Sequence, residues 1–419
     1  MHQNKGLWIL IISTITLISG NKLPSLGFSR TLDNVDPKEH IKGETYEEIT
    51  RFNQVYFTQE ANFGSCNSKC EDYEAPRHNF KEDDRYKFPQ RQCTGTIYNC
   101  IGEKITEKEP VIRYQIKKPE SSESDKRYYY VELPVNTDKK KYQYAIIEGS
   151  NYTYRYVYGN KEYSDHTTVN FDTWIRGFVR CDICRCLCDE PKDSESIRSF
   201  SLNAVESDTK DNKVVIGVQL ALKDKIFYFK IRQSPLLLLG KADQRKLSWK
   251  SDNPSLSSGS KDIFKLDVNK RSIHIGSATS NLTDFVVTGV KFAEIEGNLA
   301  LGVKLTKFDV MSGKLMNDNN QWIYNSLSKQ KLNNGGVANR PIKFTDNHAS
   351  EKLNIGLVEF RQSDMKDDVG QSTVPFIELR SIVSTGTALI GVGLQFRTRD
   401  TSGGFIAPVV VTHPTYTGK

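Results

Sequence analysis

Four cysteines stand within eight residues, at Cys181, Cys184, Cys186 and Cys188, and that spacing admits two chemistries. Clustered thiolates can hold zinc, whose structural sites take cysteines in close pairs. Alternatively, each thiol forms a disulfide. On an extended chain Cys184, Cys186 and Cys188 face one way and cannot easily bond to one another. Their partners then lie at a distance, with Cys66, Cys70, Cys93 and Cys100 the natural candidates. An even count of eight and an oxidising export route favour disulfides over metal. Eight cysteines allow about 105 complete pairings, so the connectivity is not legible. The expectation is a disulfide framework with no metal and no cofactor.

A second constellation is Tyr152, Tyr154, Tyr156 and Tyr158, whose alternation puts four phenol rings on one face of a strand. Such a face can stack on sugar rings or on a partner protein, while the plainer reading packs it beneath a neighbouring helix. The carboxylates of Asp364, Asp367 and Asp368 are the right type for calcium. Lys366 interrupts them and EF-hand spacing is absent, which favours a solvated loop. The chain has no G-x-S-x-G, no H-E-x-x-H and no P-loop, and its seven histidines are scattered. No residue is therefore singled out as catalytic, although sites assembled from distant residues leave no such motif.

The elements that would position these residues begin with a leader. Lys5 precedes a mostly apolar run from Leu7 to Ile18, followed by the small residues Ser19 and Gly20, which is the pattern of a cleavable signal peptide over residues 1–20. A signal anchor is the rival reading, but the run falls short of the roughly 20 residues that a spanning helix needs. Later apolar runs are short, and Ser234 to Gly240 is followed at once by Lys241, Asp243, Arg245 and Lys246. A secreted, extracellular protein without a membrane anchor is expected. Two sequons, at Asn151 and Asn281, fit glycosylation on that route. Net charge is +7 from 58 basic and 51 acidic residues, a near balance that argues against nucleic acid as a partner.

All eight cysteines precede Asp189, and the hydrophilic stretch 189–196 reads as a linker. This divides the mature chain into a cysteine-containing domain, 21–196, and a β-rich domain, 197–419. In the first, apolar residues at three- and four-residue steps from Pro37 to Asn62 predict a helix. Alternating segments between Val111 and Tyr158 predict strands. In the second, Val215-Ile216-Gly217-Val218 is echoed by Val287-Thr288-Gly289-Val290 and more loosely by Leu389-Ile390-Gly391-Val392. The intervals are 72 residues (215 to 287) and 102 residues (287 to 389), too uneven for a solenoid. After the first two phrases come a turn and a second apolar-rich strand, Ile226 to Ile231 and Leu299 to Leu305, so each such unit reads as a hairpin with a bulge at the glycine; chance recurrence in a strand-rich chain is the alternative. The expected fold class is α+β, with a helix and disulfide-stapled strands in the N-terminal half and an all-β sandwich or prism-like C-terminal domain.

The Cys181 to Glu190 cluster, the two Val-x-Gly-Val phrases, Gln371-Ser372-Thr373-Val374-Pro375-Phe376 and the ending Gly403-Gly404-Phe405-Ile406-Ala407-Pro408 resemble a family of secreted insect proteins known mainly as a domain of uncharacterised function. The resemblance implies an arthropod extracellular protein from saliva, venom or another secretory tissue, and brings no catalytic residues with it. The function expected is a non-enzymatic binding protein that recognises an extracellular glycan or protein. A secreted hydrolase with an unrecognised acidic site and a structural matrix protein are the alternatives.

Overall fold

The computed structural model describes residues 25–26, 30–35, 37–50, 54–59 and 95–103, the strand segments between 112 and 189, and residue 192. It then describes 196–251, 262–325, 327–332, 355–362, 373–398, 403–414 and 416–417. These residues are nearly all β, with no helix of seven residues or more; the helical turns described are three-residue 3-10 turns at Thr209–Asp211 and Leu238–Gly240. The α+β expectation is therefore corrected. Where a helix was expected, Tyr46–Glu47 and Gln54–Gln59 are strands. Tyr46, Glu47, Glu48 and Ile49 are buried in succession, so the three- and four-residue spacing did not mark one buried face. Val55, Tyr56, Phe57 and Thr58 are β-branched or aromatic residues that suit a pleated strand.

Three hairpins build the C-terminal half. The first joins Lys213–Lys223 to Ile226–Pro235, the second Phe285–Ile295 to Asn298–Asp309, and the third Leu389–Arg397 to Phe405–Thr412. Two-residue turns close the first two at Asp224-Lys225 and Glu296-Gly297, all four with positive φ, the conformation that matches strand twist in tight hairpins. Each hairpin carries a bulge at one equivalent place, between Val215 and Gly217, Val287 and Gly289, and Leu389 and Gly391. The three sequence phrases thus occupy equivalent positions in related hairpins.

The hairpins are linked into a ring by one repeated device. Phe200, Ile273 and Ile377 each lie in a strand parallel to the second strand of their own hairpin, opposite Phe227, Leu299 and Ile406. Six residues further on, Glu206, Thr279 and Val383 pair antiparallel with Gly289, Gly391 and Gly217, each on the next hairpin. The links run first to second, second to third and third to first, so the ring closes. This closure requires glycine at Gly217 and Gly391 and brings the backbone close at Gly289. A Cβ at Gly217 would lie 2.7 Å from the Ile382 carbonyl oxygen, one at Gly391 2.9 Å from that of Ala278, and one at Gly289 3.3 Å from that of Val205.

Inward-facing residues of all three hairpins form one core, including Val218, Phe229, Val290, Phe292, Val392 and Val410. Burying each such side chain contributes about 1.5–3 kcal/mol. Phe292 packs against Phe229 at 4.4 Å and Phe200 at 5.3 Å between ring centroids, joining the first two units. The start of the chain completes the third: Thr31–Leu32 pairs along the outer edge of Phe405–Thr412, and His40 stacks on Phe405 at 4.5 Å. Asn34 and Arg397 converge on the buried carboxylate of Glu378 at 3.2 and 3.0 Å. Burial pushes Glu378 above the usual carboxylate range while Arg397 and Arg380 pull it back.

Earlier in the chain, Ile183–Asp189 lies between Gln54–Gln59 and Thr96–Glu103 in a three-stranded antiparallel sheet. A separate five-stranded antiparallel sheet includes Ile112–Ile116 and Tyr156–Tyr158. Asp189 reaches from the end of the three-stranded sheet to the ring. Its carboxylate is ion-paired with the fully buried Arg198 and accepts the Val268 amide at 2.8 Å.

Candidate functional site

Of the residues singled out from sequence, Cys184, Cys186 and Cys188 lie on Ile183–Asp189, Cys181 on Val179–Cys181 and Cys100 on Thr96–Glu103. Cys186 falls at an irregularity in the register, opposite the stretch that holds Asn99 and Cys100. Cys66, Cys70 and Cys93 lie outside the described residues, as do Tyr152, Tyr154, Asn151 and the 364–368 acidic stretch. Tyr156 and Tyr158 are on one strand, opposite Ala145 and Gln143. Asn281 is exposed on the turn after Ser272–Thr279, where the Ser280 hydroxyl accepts the Leu282 amide at 3.0 Å.

The arrangement that sequence reading missed is on the outer faces of the hairpins. Beyond the bulge, side chains pointing away from the core alternate with those inside it. On the second hairpin Gly289 is opposite Lys304, and Lys304 is opposite Trp322 of the edge strand Lys314–Tyr324. The next row is Lys291, Gly302 and Tyr324. With no side chain at Gly302, Lys291 crosses the strand and its ammonium sits 4.4 Å from the Trp322 ring centre and 5.9 Å from that of Tyr324. A Cβ at Gly302 would meet the Tyr324 ring at 3.0 Å and the Lys291 stem at 3.2 Å.

The first hairpin repeats the tryptophan at the same register, with its cations at other positions. Gly217 is opposite Arg232, and Arg232 is opposite Trp249 of the edge strand Ser248–Ser251. Lys230 and Arg232 lie 5.6 and 5.9 Å from the Trp249 ring centre. Trp249 is 41% exposed and Tyr324 39%. On the third hairpin the equivalent row is Gly391, Val411 and Thr31, and Ala407, Val409 and Val411 are buried. Two of three outer faces therefore place a cation over a part-exposed tryptophan ring. The legible signal was weak: Trp322-Ile323-Tyr324 alternates rings around an inward isoleucine, and Lys230-Ile231-Arg232 does the same with cations.

Behind the first face, Asp208 accepts from Lys250 at 2.6 Å and from the Gln233 amide at 2.6 Å, and pairs with Lys213 at 3.1 Å. These contacts hold its carboxyl well below the usual range. They fix the start of the first hairpin against its edge strand. Asn212 bonds both the Gly313 carbonyl, at 2.8 Å, and the Leu315 amide, at 2.8 Å, so the first and second hairpins are tied at this end.

Among the described residues no helix is long and apolar enough to cross a membrane, and no cluster of His, Cys, Asp and Glu could hold a metal ion. No curated protein matches the chain. Residues 26–231, which take in the N-terminal half and most of the first hairpin, match a domain of unknown function, DUF4803, and so the chain carries a domain of an uncharacterised family.

Proposed function

We propose that this is a secreted, non-enzymatic binding protein that takes a glycan on the outer faces of its first and second hairpins. One observation carries the reading: Trp249 and Trp322 stand at the same register position of two related hairpins, each beside a cation. A tryptophan that is part exposed on a flat strand face offers a rigid apolar plate, and the face of a sugar ring stacks on such a plate with little ordering cost.

Secretion rests on the leader pattern over residues 1–20. The disulfide framework is supported by Cys188, which is buried and disulfide-bonded. The exposure of Asn281 suits an attached glycan. A glycan array probed with secreted, full-length protein tests the reading. Saturable binding that is lost in Trp249→Ala/Trp322→Ala supports it, and an array without any saturable signal from folded protein refutes it.

A further inference from the structure

We infer that the ligand is an anionic glycan, one whose sugar rings carry sulfate or carboxylate groups, and that each chain holds two copies of the site. This deepens the glycan reading above and rests on it. Lys230, Arg232 and Lys291 make no ion pair with any described carboxylate, whereas some other described cations do. Lys304 pairs with Glu206 at 2.8 Å and Arg271 with Glu359 at 2.7 Å. What sets these three apart is their place: they stand over Trp249 and Trp322.

A cation against an aromatic face is partly stripped of water, so a ligand anion gains a charge-assisted hydrogen bond there with less desolvation than at a free lysine. The planar guanidinium of Arg232 matches the oxygens of a sulfate or carboxylate. The rings supply the plate for the sugar, and the adjacent cations take its acidic substituent. Charge alone would not need the tryptophans, and a neutral sugar would not need unpaired cations. The third hairpin has Val411 and Thr31 in the corresponding row and its face is buried, which sets the number of sites at two.

Isothermal titration of the full-length protein tests this with three probes: a sulfated heparin-derived tetrasaccharide, its desulfated N-acetylated counterpart, and inorganic polyphosphate. The expected result is two sites per chain for the sulfated sugar. Arg232→Gln and Lys291→Gln should each weaken one site by about tenfold or more, the loss of a hydrogen bond to a charged group, and Trp322→Phe should weaken the second site alone. An unchanged thermal midpoint in each variant shows that the fold is kept; if Arg232→Gln lowers it, Lys230→Gln serves for the first face. Equal binding of the desulfated sugar overturns the anionic inference but leaves the glycan reading standing. Polyphosphate binding of equal strength that survives Trp322→Phe overturns it as charge attraction alone, a single site overturns the pairing, and no binding of either sugar removes both readings.

Discussion

Replacing Gly217 with alanine places a methyl carbon 2.7 Å from the Ile382 carbonyl oxygen, 2.7 Å from Val383 Cγ2 and 3.0 Å from Val383 Cα. Two of those atoms are backbone, so the strand from the third unit must move away and the ring opens at its closing link. Gly391→Ala meets the same obstacle from the second unit, with Ala278 O and Thr279 Cα both at 2.9 Å. Gly289→Ala is milder, since its nearest neighbour is Glu206 Cγ at 3.1 Å and the Val205 oxygen lies at 3.3 Å. Overpacking of this kind costs about 1–3 kcal/mol. Against it stands a gain of about 0.4–1 kcal/mol, because alanine restricts the unfolded chain. The net expectation is a loss of about 1–2 kcal/mol for Gly217→Ala and Gly391→Ala, and close to nothing for Gly289→Ala. In a thermal melt about 1 kcal/mol corresponds to a shift of about 2–4 °C for a unit of this size. The order is the discriminating result. If Gly289→Ala falls as far as Gly217→Ala, or all three variants melt with the wild type, backbone approach is not why glycine stands at these places.

Arg198→Met leaves the Asp189 carboxylate buried with only the Val268 amide; it should lose about 3–5 kcal/mol in urea unfolding, and a loss below about 1 kcal/mol would mean that the pair holds nothing together. Burial lowers the pKa of His274, so the unfolded chain takes up its proton first as pH falls. The His274 contribution is then full above about pH 6.5 and is lost as pH drops through and below that value; His274→Gln should flatten the dependence of the urea midpoint on pH between about 7 and 5. Expressed with its own leader, the exported protein should have an intact mass lacking residues 1–20 and no thiol that reacts before reduction; free thiols with bound zinc would replace the disulfide reading with a metal site at Cys181, Cys184, Cys186 and Cys188.

The hairpins were legible because their signal is local: alternating apolar residues mark the strands, and the glycine phrases mark the bulges. What closes the ring was not. The link between Val383 and Gly217 spans most of the C-terminal half, and nothing in the periodicity of either segment names the other. The region from Pro37 to Asn62 failed for a related reason. Tyr46 and Ile49 are buried by partners far along the chain, Phe376 and Phe405 for Tyr46 and the main core for Ile49, so local spacing reported a face that tertiary packing does not use. The cation–aromatic faces are invisible for a third reason. Arg232 meets Trp249, and Lys291 meets Trp322, only once the register of the edge strand is known.

The match to DUF4803 ends at residue 231, inside the second strand of the first hairpin, which runs to Pro235. In the fold this is not a boundary. The first hairpin needs Ile382 and Val383 beside Val218 and Gly217, and the third hairpin needs Thr31 and Leu32 along its edge. Glu378 is held by Asn34 from one end of the chain and Arg397 from the other. A strand edge left without these partners would expose unpaired backbone and the apolar row behind it. The stretch over which sequence similarity is detected is therefore smaller than the unit that can bury the core. The two candidate faces differ accordingly: that of the first hairpin falls partly inside the matched stretch, through Lys230, while Arg232 and Trp249 and the whole second face lie beyond it. The proposed binding faces thus lie mostly in the part of the chain that the matched domain does not cover.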